Sequence, residues 1–145
     1  QTAHHNVTVR HWCVAALMRL GHRAASAVPE LIVCLRDVDD GVRTVSAHAL
    51  AELGQHAQAS LEALVETVYD ANEEARHAAV AAIARIDPQG KRTVPEIARG
   101  LASPSVRARA QSAEALGRLR TAALGAAPRS VVAWLRSRRA QGGHR

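Results

Sequence analysis

The stretch GVRTVSAHALAELG, residues 41–54, decides the architecture, because it returns on a fixed period. Moved 33 residues on it reads EARHAAVAAIARID, and moved 33 residues back it reads TVRHWCVAALMRLG. Laid in rows of 33, the chain aligns without a gap from Val9, Val42, Ala75 and Ala108. An arginine recurs at Arg10, Arg43, Arg76 and Arg109, and an alanine at Ala16, Ala49, Ala82 and Ala115. Beside the alanine run Leu17, Leu50, Ile83 and Leu116, and three residues further Leu20, Leu53, Ile86 and Leu119. Self-similarity at such a period is the mark of stacked repeats.

Each row opens with one helix. In the first row Val9, Cys13, Ala16, Leu17 and Leu20 fall at spacings of 4, 3, 1 and 3, which is one face of an α-helix. Three residues ahead of each row stand Asn6, Asp39, Asn72 and Ser105, all short polar side chains suited to accept from the free amides of a first turn. We call these the A helices. A second apolar face follows in each row, the B helix: Val28, Leu31, Ile32 and Leu35; Leu61, Leu64, Val65 and Val68; Val94, Ile97, Ala98 and Leu101. The last set is Ala127, Val131 and Trp134, broken by Ser130. Pro29, Pro95 and Pro128 share one phase early in B, where a missing N–H leaves no bond unmade, and Glu62 takes that phase in the second row. No segment alternates with period two, so the expected class is all-α. One hairpin of about 33 residues cannot bury two apolar faces alone, so the hairpins must stack into a solenoid.

Composition agrees. The chain has 145 residues and no phenylalanine, one tyrosine and two tryptophans, so alanine and leucine carry the core. No run approaches 18 apolar residues, so no membrane span is expected, and no stretch reads as a signal peptide. The sequence starts at Gln1 rather than Met, as a piece of a longer chain would, and a cytoplasmic location is expected. Charge is uneven: residues 97–145 hold ten arginines against Glu114 alone, net +9, while residues 1–96 carry net −3. A basic end attracts nucleic acid or acidic partners. A solvated arginine-rich surface is the preferred reading, because aromatic residues do not interleave the arginines as single-strand binding requires. Cys13 and Cys34 fit no CxxC pattern and are read as small buried thiols, with a disulfide as the alternative.

The rows resemble HEAT repeats, of the short bacterial type associated with phycobilisome bilin lyases. The motif is a proline early in B, an aspartate eight residues later and an arginine six residues after that. Pro29, Asp37 and Arg43 match it fully; Asp70 and Arg76 match after Glu62 replaces the proline. Pro95 and Arg109 match around Ser103 in place of the acid, and Pro128 is followed by Arg136. The Thr-Pro-Leu-His motif of ankyrin repeats is absent. The resemblance implies a right-handed α-α superhelix of four stacked hairpins, with the B helices lining the concave side. One domain over residues 1–140 is expected, with repeats at about 6–38, 39–71, 72–104 and 105–138 and a flexible tail at 141–145.

The recurrent arginine is read as structural: its stem covers apolar surface and its guanidinium reaches a loop acid of its own or a neighbouring repeat. The expected ladder is Asp37, Arg43, Asp70, Arg76 and Arg109, with Asp37 available to Arg43 and the rung at Ser103 weakened.

No catalytic residue, cofactor or metal site is expected. HExxH, GxSxG and GxGxxG are absent, and Gly90-Lys91 lacks the first glycine of a phosphate loop. His11 and His77 share a phase two repeats apart, His48 and Glu52 form an i, i+4 pair, and both are read as solvated surface groups. Asp39-Asp40 and Glu73-Glu74 suit the positive ends of their helices. Trp134 reads as core packing, and Trp12 as buried against the second repeat.

The expected function is a non-catalytic scaffold for a protein partner, bound on the concave B-helix face. Its outward phases are Glu30, Val33, Asp37, Ala63, Glu66, Asp70, Glu96, Arg99, Ser103, Arg129, Val132 and Arg136, running from acidic to basic. The alternatives are a nucleic-acid-binding module using the basic C-terminal half, and a helper or lyase subunit of the bilin lyase type, which would want an exposed cysteine or histidine.

Overall fold

The computed structural model describes residues 2–126 and residue 139. Seven α-helices follow one another: α1 (Thr2–Leu20), α2 (Val28–Cys34), α3 (Asp40–Leu53), α4 (Leu61–Thr67), α5 (Glu73–Ile86), α6 (Thr93–Arg99) and α7 (Val106–Ala126). No strand occurs among the described residues. The odd-numbered helices are the A helices and the even-numbered ones the B helices, so the all-α reading and the hairpin order hold. The fourth B helix, expected around Ala127, Pro128, Val131 and Trp134, lies outside the described residues, as do Arg129, Val132 and Arg136.

Local chemistry explains the boundaries. Asp39 caps α3 by accepting from the Val42 amide at 2.9 Å, and Asn72 caps α5 by accepting from Ala75 at 2.9 Å. Ser105 does the same for α7 from Ala108 at 3.3 Å. Asn6 does not cap its helix: α1 begins at Thr2, so Asn6 lies inside it. The turn from A to B needs a left-handed residue, supplied by Gly21 (φ 54°) and Gly54 (φ 52°). In the third repeat that phase is Asp87, and the turn is rebuilt. Asp87 Oδ2 accepts from the Arg92 and Thr93 amides, each at 3.0 Å, and from the Thr93 hydroxyl at 2.9 Å, which ties down the start of α6.

The core runs between the two helix rows. Ala49, Leu50 and Leu53 of α3, Leu61 and Leu64 of α4, and Ala82, Ile83 and Ile86 of α5 are buried together. α3 packs between α1 and α5, and α5 between α3 and α7. The recurrent alanine lets neighbouring backbones approach, since its methyl fills the contact without pushing the helices apart.

Three expectations about burial fail. On α1 the phases that are buried in α3 and α5 face outward: Val9, Trp12, Cys13, Ala16 and Leu20 are exposed, with Trp12 at 66%. The helix meets the core instead through Val14, Leu17 and Met18; among the described residues no A helix lies ahead of α1 to cover the other phases. Ala63, expected to point outward, is buried. Val94 and Leu101, expected in the core, are exposed on the last described B helix and the turn after it.

Candidate binding surfaces and the arginine ladder

The arginines of the A helices reach two ways. Arg43 Nη1 donates to the backbone carbonyls of Asp37 (2.8 Å) and Val38 (3.2 Å) in the loop just before its own helix. Its Nε and Nη2 form a fork onto the Asp70 carboxylate in the loop ahead of α5, at 2.7 and 2.9 Å. Arg10 addresses Asp37 in the same register, with Nη2 donating to Oδ1 at 3.1 Å and Nε 2.7 Å from Oδ2. Asp37 is therefore not the carboxylate partner of Arg43; it offers Arg43 its carbonyl and pairs with Arg10, 27 residues upstream. The physical reason is that an A-helix side chain one turn in lies beside the loop that leads into the next A helix, so the fork points across the stack. Arg10 was missing from the expected ladder, although its offset to Asp37 equals that of Arg43 to Asp70 and was readable from the rows.

These carboxylates also shape their loops. Asp37 Oδ1 accepts from the Asp39 amide and Asp70 Oδ1 from the Asn72 amide, each at 2.9 Å. Burial pushes the Asp70 carboxyl up, but the hydrogen bonds from Arg43 and Asn72 and the charges of Arg43 and Arg76 outweigh it, leaving Asp70 below the ordinary aspartate range. Asp37 is held low in the same way, against burial, by the Asp39 amide and by Arg10.

The later rungs differ. Arg76 Nη1 donates to the carbonyls of Asp70 (3.0 Å) and Ala71 (3.2 Å), and Arg109 Nη1 to those of Ser103 (2.7 Å) and Pro104 (3.0 Å). Arg76 has Ser103 where its carboxylate should be, and its Nε is buried without an acceptor.

On the B-helix face, Glu30, Val33, Glu66, Glu96 and Arg99 are exposed, whereas Asp37 and Asp70 are half-buried and their carboxylates are taken by the ladder. Glu66 is met by both Nε and Nη2 of Arg36 at 3.1–3.3 Å, and Arg99 pairs with Glu96 at 3.2 Å on its own helix. Such exposed pairs contribute little stability, but they place Arg36 among the acids, and the described part of the face alternates in sign. Between α4 and α6 a groove of about 600 Å³ is lined by Leu61, Val65, Glu62, Glu66, Arg92 and Glu96. Glu62 and Arg92 on the groove rim, and Arg36 beside it through Glu66, were not among the expected site residues, since their phases neighbour the outward ones.

The chemistry of the remaining candidates is modest. Cys13 is exposed rather than buried, so the objection to a lyase-type role from its core phase falls away. Cys34 is a free thiol pushed up by burial and by Asp37, against a hydrogen bond with Ser46. Both cysteines are unbridged. His77 meets Glu114 at 2.8 Å, an A-to-A contact between α5 and α7. No group of three or more metal-type side chains gathers among the described residues, and no helix there is long and apolar enough to cross a membrane.

The family model for HEAT repeats matches residues 1–71. No curated protein matches the chain significantly. The described helices beyond residue 71, α5 to α7, repeat the matched ones in order, in the cap position of the A helices and in the arginine that grips the preceding loop. Residues 1–71 thus match the HEAT-repeat family, and the described helices that follow are built alike.

Proposed function

We propose that the chain is a non-catalytic scaffold that binds a protein partner on its B-helix face. HEAT repeats generally act as protein-interaction scaffolds. The observation that carries the finer reading is the groove between α4 and α6, which combines an apolar floor at Leu61 and Val65 with a rim on which Glu62, Glu66 and Glu96 outnumber Arg92. Such a groove suits an extended or helical segment bearing apolar anchors flanked by basic residues. Charge on the rim sets register and approach, and the floor supplies affinity.

A photo-crosslinking residue at Glu62 should capture the partner, while the same residue at exposed His48 on α3 should not. Reversing Glu66 and Glu96 to lysine, with the crosslinker kept at position 62, should abolish capture. Equal capture at both positions would refute a B-face site. A nucleic-acid partner is the competing outcome. It requires duplex binding that falls steeply with salt and is lost when Arg99, Arg129 and Arg136 are reversed to glutamate. The exposure of Cys13 keeps a chromophore-helper role open to test by thiol-specific loading with a bilin, abolished in Cys13→Ser.

A further inference from the structure

The third rung of the ladder holds a cationic fork without its anion. In the two rungs before it, an aspartate does two jobs at once: it accepts the N–H two residues on, and it accepts the fork of the arginine 27 residues back. Ser103 does only the first, accepting from the Ser105 amide at 3.2 Å. The loop keeps its shape, as the Arg109 bonds to the Ser103 and Pro104 carbonyls show. A serine side chain ends where the aspartate carboxyl carbon would sit, so Ser103 presents no carboxylate oxygens to Arg76.

Arg76 responds as an unfinished site would. Its Nη1 is committed to the Asp70 and Ala71 carbonyls, while Nε is buried with no acceptor. Arg10 Nε also lacks an aligned acceptor, but it lies 2.7 Å from the Asp37 carboxylate and so is ion-paired. The acids that feel the Arg76 charge are already engaged: Asp70 by Arg43, and Glu114 by His77 at 2.8 Å and Arg118 at 3.4 Å. A buried donor left without a partner is costly, and a guanidinium fork prefers a two-oxygen acceptor.

We propose that the Arg76–Ser103 rung is an oxyanion site that takes a phosphate or phosphate monoester in place of the missing aspartate. Two of its oxygens accept from Arg76 Nε and Nη2, a third accepts from the Ser103 hydroxyl, and the rest of the ligand faces solvent at the half-buried loop. Binding ties α5 to the loop ahead of α7 as the carboxylates tie the earlier A helices to the loops ahead of theirs, so occupancy stiffens the C-terminal half of the stack. This assignment is independent of any partner on the B-helix face.

Inorganic phosphate is the probe, titrated into the full chain at constant ionic strength with chloride as the control. Wild type should show a saturable rise in Tm and broadening of the phosphate ³¹P resonance. Arg76→Gln should weaken the apparent affinity about tenfold or more, as loss of a charge-assisted pair implies. Ser103→Asp restores the carboxylate of the other rungs. It should raise the Tm without phosphate and lose the phosphate response, and because it is expected to stabilise, it tests the site even if Arg76→Gln folds poorly. A wild-type response no larger than that to chloride overturns the assignment, and so does a phosphate response that persists in Ser103→Asp.

Discussion

Arg43→Ala should be the most damaging single change in the ladder, and its size can be worked from the geometry. The Arg43 and Asp70 side chains are only 16% and 11% exposed, and the fork makes two short charge-assisted bonds. Truncation leaves Asp70 with the Asn72 amide and the more distant charge of Arg76, and strips the Asp37 and Val38 carbonyls of their donor. Breaking a buried pair by removing one partner costs about 3–5 kcal/mol. The loop setting argues for the lower end, about 3 kcal/mol. Arg76→Ala loses only the Nη1 bonds to two carbonyls and also removes an unpaired buried donor, so about 1–2 kcal/mol is expected. The difference corresponds to a gap of roughly 3–8 °C in Tm for a chain of this size. Urea denaturation followed by far-UV circular dichroism measures both, provided the slope m is unchanged, since repeat proteins can unfold in blocks. A double-mutant cycle with Asp70→Ala should return a coupling energy of most of the Arg43 loss. Losses for Arg43→Ala and Arg76→Ala that agree within about 0.5 kcal/mol would falsify the claim that the carboxylate under the fork is what distinguishes the rungs.

Other perturbations address packing and pH. Ala49→Leu places a larger side chain in the buried α3 contact and should cost about 1–3 kcal/mol in the same denaturation experiment; an unchanged midpoint would contradict the packing described. Gly100→Ala puts a methyl against the Ser112 and Tyr69 hydroxyls, which hydrogen-bond each other at 2.9 Å, and should cost a similar amount, read by thermal melting. Because Asp37, Asp70 and Asp87 titrate below the ordinary aspartate range in the fold, their stabilisation is present above about pH 4 and is lost as pH falls through their folded values. Arg43→Ala should therefore flatten the acid limb of a stability–pH curve measured from pH 7 down to pH 2.5. Trp12→Ser should change stability by less than about 0.5 kcal/mol, since the ring is exposed, whereas a large loss would place it in the core.

Much of the architecture was legible in the rows of 33, because helical period, cap residue and turn glycine are local properties that each repeat restates. Asp39, Asn72 and Ser105 cap the helices they were expected to cap, and Leu50, Ile83 and Leu64 are buried where the 3.6-residue period puts them. The same repetition misled at the first helix. Val9, Cys13 and Leu20 carry the phase that is buried in α3 and α5, yet they are exposed, because burial depends on a neighbour and a residue's phase does not say whether one is there. The ladder divides along the same line. That an arginine and an acid recur together is written in the chain, and so is the loss of the acid at Ser103. Which acid each arginine holds is a property of the stack. Only when α3 lies beside α5 does the fork of Arg43 cross to Asp70 rather than fold back on Asp37, and only then is Arg76 left facing a serine.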